Sequence, residues 1–416
     1  YKIITYNRCD MKKILSMFLI ICCIFCFTAC GGGTEEITSD GVSSDGVSSD
    51  GVSSDGIKSD GTNDPNQPIK VKMGFIYSGS TESRTLNAIF EIARQQVEKA
   101  LGVETCYIEN VLVSDFEKAV EILTEEEKCN VIVSCNNRFA NAAEKSAKNS
   151  PDTRFISYGG GSTLANLSVF EGELYQASNV CGIIAAYNST SNILGVVADP
   201  GMYTVHAVID SYILGAAEIT ETKTNVRVNW ARPESHDEIE QAIDNLVSQG
   251  CDVIMCYTGD TYAIEYCEKI GVKVIGDAYN MPELAPTQYL SGFFYQFNTY
   301  LIDIARSIQY RDFTAAKNTD GVKEGTVRLC APSEDNALEG TKTISDTLYD
   351  IVKSGKSTIF KGEIKDSDGN IQVAKGTVLD HSQIVNVNWL EQSVRLINDY
   401  VQPVLEPASS DFEVHR

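Results

Sequence analysis

Val71-Lys72-Met73-Gly74-Phe75-Ile76-Tyr77, followed by Ser78-Gly79-Ser80, is the stretch on which the fold turns. A near-continuous apolar run of this length, closed by small turn-forming residues, predicts a strand buried on both faces. Leu86, Ile89, Phe90, Ala93, Val97 and Leu101 then recur at helical spacing, and Gly102 ends that helix. The same alternation continues with strands at 103–108, 130–135 and 154–158 and helices at 116–123 and 140–148. It restarts with helices at 174–187, 205–217, 238–249 and 262–269 and strands at 193–198, 226–230, 251–256 and 273–276. Strand–helix alternation at this spacing implies parallel sheets covered on both faces. The expectation is an α/β fold of two doubly wound lobes joined by hinge crossings. Residues 70–169 with about 289–330 form the first lobe, and 170–288 with about 331–402 the second.

Outward from this body, composition bounds the function. The chain has 416 residues, with 34 Lys and Arg against 57 Asp and Glu, and a formal net charge of -23. So acidic a surface argues against a nucleic-acid polymer as partner. Charge is unevenly placed. Lys12 and Lys13 precede a run from Ile14 to Ala29 that carries no charge and is short of the roughly 20 residues of a membrane span. Residues 11–30 therefore read as a signal peptide, and residues 1–10 as lying ahead of the translational start. Phe27-Thr28-Ala29-Cys30-Gly31 resembles a lipobox, with Cys30 as the lipidated N-terminus of the mature chain. Ser-Asp-Gly-Val-Ser recurs every five residues from Ser39 to Gly56, and residues 31–69 read as a disordered acidic tether with an end-to-end distance of roughly 35 Å. These features predict a protein held on the extracellular face of the cell membrane by lipid.

Catalytic signatures are lacking in the sequence. His206, His236, His381 and His415 stand at no metal-ligand spacing, Gly159-Gly160-Gly161-Ser162-Thr163 lacks the lysine of a phosphate loop, and no Gly-x-Ser-x-Gly elbow occurs. The expectation is a protein that is not an enzyme and carries no cofactor and no metal. The eight cysteines of the body form no Cys-x-x-Cys pair. Several fall in buried strands, where a free thiol is a small hydrophobe. Free thiols in such number on an exported chain point to a reducing habitat, with disulfides the open alternative.

In two parallel α/β lobes, ligands bind where loops converge beyond the carboxyl ends of the strands. Those loops are 78–87, 136–138 and 158–161 in the first lobe and 199–203, 257–260 and 277–280 in the second. They are rich in amides, hydroxyls and tyrosine and poor in cations, which suits a planar, hydrogen-bonding, largely neutral ligand. Asn87, Asn137, Tyr203, Asp260, Asp277 and Tyr295 are the predicted contacts.

Gly74-Phe75-Ile76-Tyr77, the segment 102–110, Phe170-Glu171-Gly172-Glu173-Leu174-Tyr175 and Gly182-Ile183-Ile184-Ala185-Ala186 together resemble the basic membrane protein family of substrate-binding lipoproteins. The closing segment 360–369, Gly376-Thr377-Val378-Leu379 and Val387-Asn388-Trp389 are similar as well. The resemblance implies a type I periplasmic-binding-protein fold, an ABC permease as partner, and a purine nucleoside, a nucleobase or, in some relatives, riboflavin as ligand. Some expected residues differ. Glu82-Ser83-Arg84-Thr85-Leu86 stands where relatives carry an acidic, tryptophan-bearing motif; Ala278 aligns with their ribose-binding Asp, with Asp277 one residue earlier. Tyr295 aligns with their ribose-binding Lys, and Tyr203 or Met202 replaces a stacking Phe. Two charge-assisted contacts worth about 1.5–3 kcal/mol each are thereby altered. A ligand-sensing or cell-surface interaction lipoprotein without a transport role is the other reading.

Overall fold

The computed structural model describes residues 67–82, 84–219, 225–233, 235–279, 281–399 and 412–416. The predicted signal peptide, Cys30 and the predicted tether up to residue 66 lie outside the described residues. Two sheets organise the body. The first takes β1 (Lys72–Ile76), α1 (Leu86–Leu101), β2 (Glu104–Ile108), α2 (Phe116–Glu121), β3 (Val131–Ser134), α3 (Ala140–Asn149), β4 (Arg154–Tyr158) and β5 (Leu167–Gly172). The second takes α4 (Tyr175–Asn188), β6 (Ile193–Ala198), α5 (Val205–Ile219), β7 (Asn225–Trp230), α6 (His236–Ser248), β8 (Val253–Tyr257), α7 (Tyr262–Ile270), β9 (Lys273–Gly276), α8 (Met281–Leu284) and β10 (Tyr289–Tyr295). The chain continues through α9 (Asn298–Gln309), β11 (Lys317–Asp320), β12 (Val327–Cys330), α10 (Thr341–Lys353), β13 (Ile364–Lys365), β14 (Ile371–Val373), α11 (His381–Ile384) and β15 (Val394–Leu396).

Strand order is β11-β5-β4-β3-β1-β2 in one sheet and β12-β10-β9-β8-β6-β7-β15 in the other, with β13 and β14 forming a hairpin. All pairs are parallel except β10 with β12 and the hairpin. The two-lobed, mainly parallel α/β architecture is the one expected from the sequence. The opening strand is buried as its apolar run requires: Met73, Phe75, Ile76 and Tyr77 are all fully inside. Helix α1 presents Ile89, Phe90, Ala93 and Val97 to the same core and stops at Gly102, whose left-handed φ of 65° lets its N–H reach Glu98 O at 2.9 Å.

Helices α4 and α5 are apolar nearly all round and pack on each other at very close range. A Cβ on Gly182 would lie 1.8 Å from Tyr212 O, and one on Gly215 would lie 2.0 Å from Asn179 O, so neither position admits a side chain. Ser178 donates to Val208 O at 2.8 Å and Asn179 to Ser211 O at 2.9 Å, tying the two helices by polar contacts as well.

The chain passes between the lobes three times: from β5 to α4, from β10 to α9 and from β11 to β12. The return to the first lobe thus follows Tyr295 rather than beginning near 289, because the run 289–295 is buried as a strand of the second sheet. The run was not legible as a strand because Ser291 and Gly292 interrupt its apolar pattern, although both are buried or pressed against backbone. The crossings touch: Glu173 N donates to Asp320 O at 2.9 Å, Gln296 N to Thr326 O at 2.8 Å and Val322 N to Gln176 Oε1 at 2.9 Å. His381, on α11, lies 3.0 Å from Glu171 at the end of β5 and 3.2 Å from Glu173 in the first crossing. Burial opposes its charge, but the two carboxylates prevail and push the imidazole up to about 9.

Candidate functional site

A cavity of about 330 Å³ lies between the carboxyl ends of the two sheets. All six residues singled out in the sequence line it: Asn87 and Asn137 from the first lobe, and Tyr203, Asp260, Asp277 and Tyr295 from the second. They converge because Asn137, Tyr203, Asp260 and Asp277 follow strand ends, Tyr295 is the last residue of β10, and Asn87 is in the first turn of α1. Ser78, Asn136, Arg138, Asp199 and Thr258, from the same loops, join them, as do Tyr158, Leu174, Pro233 and Phe294.

The first-lobe wall satisfies its own polar groups. Asn136 Nδ2 donates to Ser78 Oγ at 2.7 Å, Ser78 Oγ approaches Asn87 Oδ1 at 3.5 Å, and Asn136 Oδ1 accepts from Arg138 N at 2.9 Å. Gly159, at φ 74°, passes so near Asn137 that a Cβ would lie 2.7 Å from that side chain.

The second-lobe wall is different. Asp260 uses its carboxylate at the start of α7, accepting from Tyr262 N at 2.6 Å. Asp277 is only 7% exposed, and its Oδ1 has no hydrogen-bond partner. Burial pushes its carboxyl up to about 7, against the pull of the Asp277 and Gly259 backbone N–H groups and with Asp260 adding to the rise. Tyr295, on the adjacent strand, is equally buried, and its hydroxyl also lacks a partner. Ala278, the position aligned with the acid of the relatives, is packed in the apolar core, so the carboxylate that reaches the cavity is that of Asp277.

Tyrosines form the deep end. Tyr158 meets Tyr203 edge-on at 5.8 Å and Tyr295 edge-on at 5.7 Å, while Tyr295 stacks on Phe297 at 5.0 Å. The loop that presents Tyr203 is followed by Thr204 at φ 53°, a left-handed conformation that β-branched residues seldom adopt. Three contacts bridge the lobes around the cavity. Thr85 Oγ1 donates to Gly259 O at 2.9 Å, Arg138 meets Asp199 at 3.4 Å, and Arg84 meets Glu283 at 2.8 Å. The cleft is therefore closed. A second cavity of about 370 Å³ adjoins the first and shares Ile89, Phe294 and Tyr295 with it. Among the described residues no helix is long and apolar enough to cross a membrane.

The family model for PnrA-like ABC transporter substrate-binding proteins (Bmp) matches residues 70–367. A purine-binding protein of Brucella abortus (strain 2308) is 29% identical over 324 residues, which is 77% of this chain and 91% of that protein. Among solved structures, an ABC transporter solute-binding protein of Conexibacter woesei superposes with a TM-score of 0.59 at 15% identity, covering 69% of this chain and 97% of its own. One from Aeropyrum pernix K1 gives 0.58 at 15% identity, covering 76% and 95%. At such identities the two structures speak for the fold alone. With the family model spanning well over half the chain, on a two-lobed fold closed around a cavity, the conclusion is direct: the chain belongs to the PnrA-like family of ABC transporter substrate-binding proteins, whose members bind solutes for transport and are not enzymes.

Proposed function

We propose that this protein captures a planar nitrogen heterocycle, a purine nucleobase or nucleoside, outside the cell and hands it to an ABC permease while a lipid on Cys30 and the acidic tether hold it to the membrane. The observation that carries the reading is the pair of unpartnered groups, Asp277 Oδ1 and the Tyr295 hydroxyl, on the wall of a closed aromatic cavity. Buried polar groups left without partners are costly, by about 1–3 kcal/mol each, and a ligand that supplies the missing hydrogen bonds recovers that cost. The tyrosine surfaces favour a flat ring, and Asn87 and Asn137 face it from the other lobe. The name of the Brucella relative supports the purine class. Bound ligand holds the lobes closed about the three crossings, and the permease reads the closed form.

Calorimetry of the purified chain with nucleosides, nucleobases and flavins tests this. Micromolar or tighter binding of at least one purine is expected; no heat and no thermal stabilisation with any of them would reject the purine class. Metabolic labelling with palmitate, expected to be lost in Cys30→Ser, tests the anchor. Loss of uptake on deleting a permease tests the transport role against a purely sensory one.

A further inference from the structure

We propose that Cys106 and Cys129 are a disulfide-forming pair, so that in an oxidising compartment the folded protein carries a cross-link over strand β1. Cys106 stands in the middle of β2 and Cys129 in the turn before β3, and β1 runs between those two strands. Their sulfurs nevertheless lie 3.4 Å apart. They meet because residue 74, the register partner of Cys106 on β1, is glycine. A Cβ there would lie 3.2 Å from Cys129 Sγ and 2.9 Å from Leu123 Cδ1, filling the gap in which the thiols touch. Bond formation needs the sulfurs to close to about 2.05 Å, a movement within reach of side-chain rotation.

The surroundings also favour reaction. Lys72 is tied to Glu127 at 3.0 Å beside the pair. The neighbouring Cys129 thiol and the Lys72 ammonium, against burial, hold the Cys106 thiol below its usual range, and the thiolate is the attacking form. The molecule contains its own control in Cys256 and Cys267. Those sulfurs are 3.9 Å apart, and burial pushes the Cys256 thiol well up.

The chemistry balances with a disulfide-bearing oxidant, either a small-molecule disulfide or a thiol oxidase. During folding, before its burial to 4% exposure, Cys129 attacks one sulfur of the oxidant as its thiolate, forming a mixed disulfide and releasing one thiol. The Cys106 thiolate then attacks Cys129 Sγ and expels the second thiol. Two electrons and the two cysteine protons leave with the oxidant, now reduced to two thiols. The cross-link spans 23 positions and encloses α2, away from the strand ends that form the cavity.

The test is a peptide map of the full chain, refolded in a mixture of reduced and oxidised glutathione, then unfolded and alkylated. The peptides holding Cys106 and Cys129 are expected joined and about 2 Da lighter than their sum, with Cys256 and Cys267 alkylated. Reduction, or Cys129→Ser, is expected to lower the melting temperature by about 5–10 °C and leave ligand affinity within twofold. Recovery of both peptides fully alkylated would overturn the proposal, as would joining of Cys256 to Cys267 in their place. The map of the unaltered chain decides the matter whether or not the variant folds.

Discussion

The two walls of the cleft are built from the same parts and finished differently. Each is a set of loops at the carboxyl ends of a parallel sheet, but in the first lobe the hydroxyl of Ser78 and the amides of Asn87 and Asn136 bond one another. In the second lobe Asp277 Oδ1 and the Tyr295 hydroxyl face the cavity without a hydrogen-bond partner. A wall that is internally satisfied keeps its shape without ligand; a wall with buried, unpaired groups gains its full stability only when something fills it. The second lobe should therefore carry most of the ligand's hydrogen-bonding energy.

Removing the carboxylate is the sharpest way to break that comparison. Asp277→Ala is expected to weaken purine binding by about 10- to 100-fold, measured by calorimetry, since one charge-assisted bond is lost. An unchanged affinity would place the ligand elsewhere. The same residue makes ligand-free stability depend on pH. Its carboxyl rises from 3.8 to about 7 on folding, so its contribution is fully present below pH 3.8 and is lost as pH rises through about 7. Asp277→Asn should then gain about 4 kcal/mol over the unaltered protein at pH 8 and almost nothing near pH 4, read from urea unfolding without ligand. A pH-independent difference would mean the acid is already paired.

Asn87→Ala probes the satisfied wall, and a loss of about fivefold in affinity, near 1 kcal/mol, is expected. If it costs as much as Asp277→Ala, the distinction between the walls collapses. Smallest is Arg138→Ala. Its side chain is 46% exposed and meets Asp199 across the cleft, so about 0.5 kcal/mol is expected, seen as a slightly more open ligand-free form in small-angle scattering.

Much of this was legible in the chain itself. The apolar run 71–77 and the spacing of Ile89, Phe90, Ala93 and Val97 are local patterns, and local patterns report elements directly. Once the strands are placed, the α/β topology dictates that Ser78, Asn137 and Asp277 meet at one end, so residues far apart in sequence could be predicted to share a cavity. The run 289–295 was not legible because Ser291 and Gly292 owe their burial to neighbouring strands rather than to their own apolarity. Nor could the sequence distinguish Asp260, engaged at a helix start, from Asp277, whose Oδ1 is left without a partner; partners are properties of three-dimensional proximity. The one-residue offset between Asp277 and Ala278 is of the same kind. Only the fold reveals which of two consecutive side chains enters the cavity and which enters the core.

The paired glycines of α4 and α5 bear on how the protein moves. Helix α4 begins directly after the first crossing, so any rotation there is delivered to its first turn. With Gly182 and Gly215 set against the partner backbone, the two helices have no slack between them, and torque applied at Leu174 passes undiminished into the sheet behind. The second lobe should therefore swing as a single lever rather than flex, and the angle through which the cleft opens is set at the crossings alone.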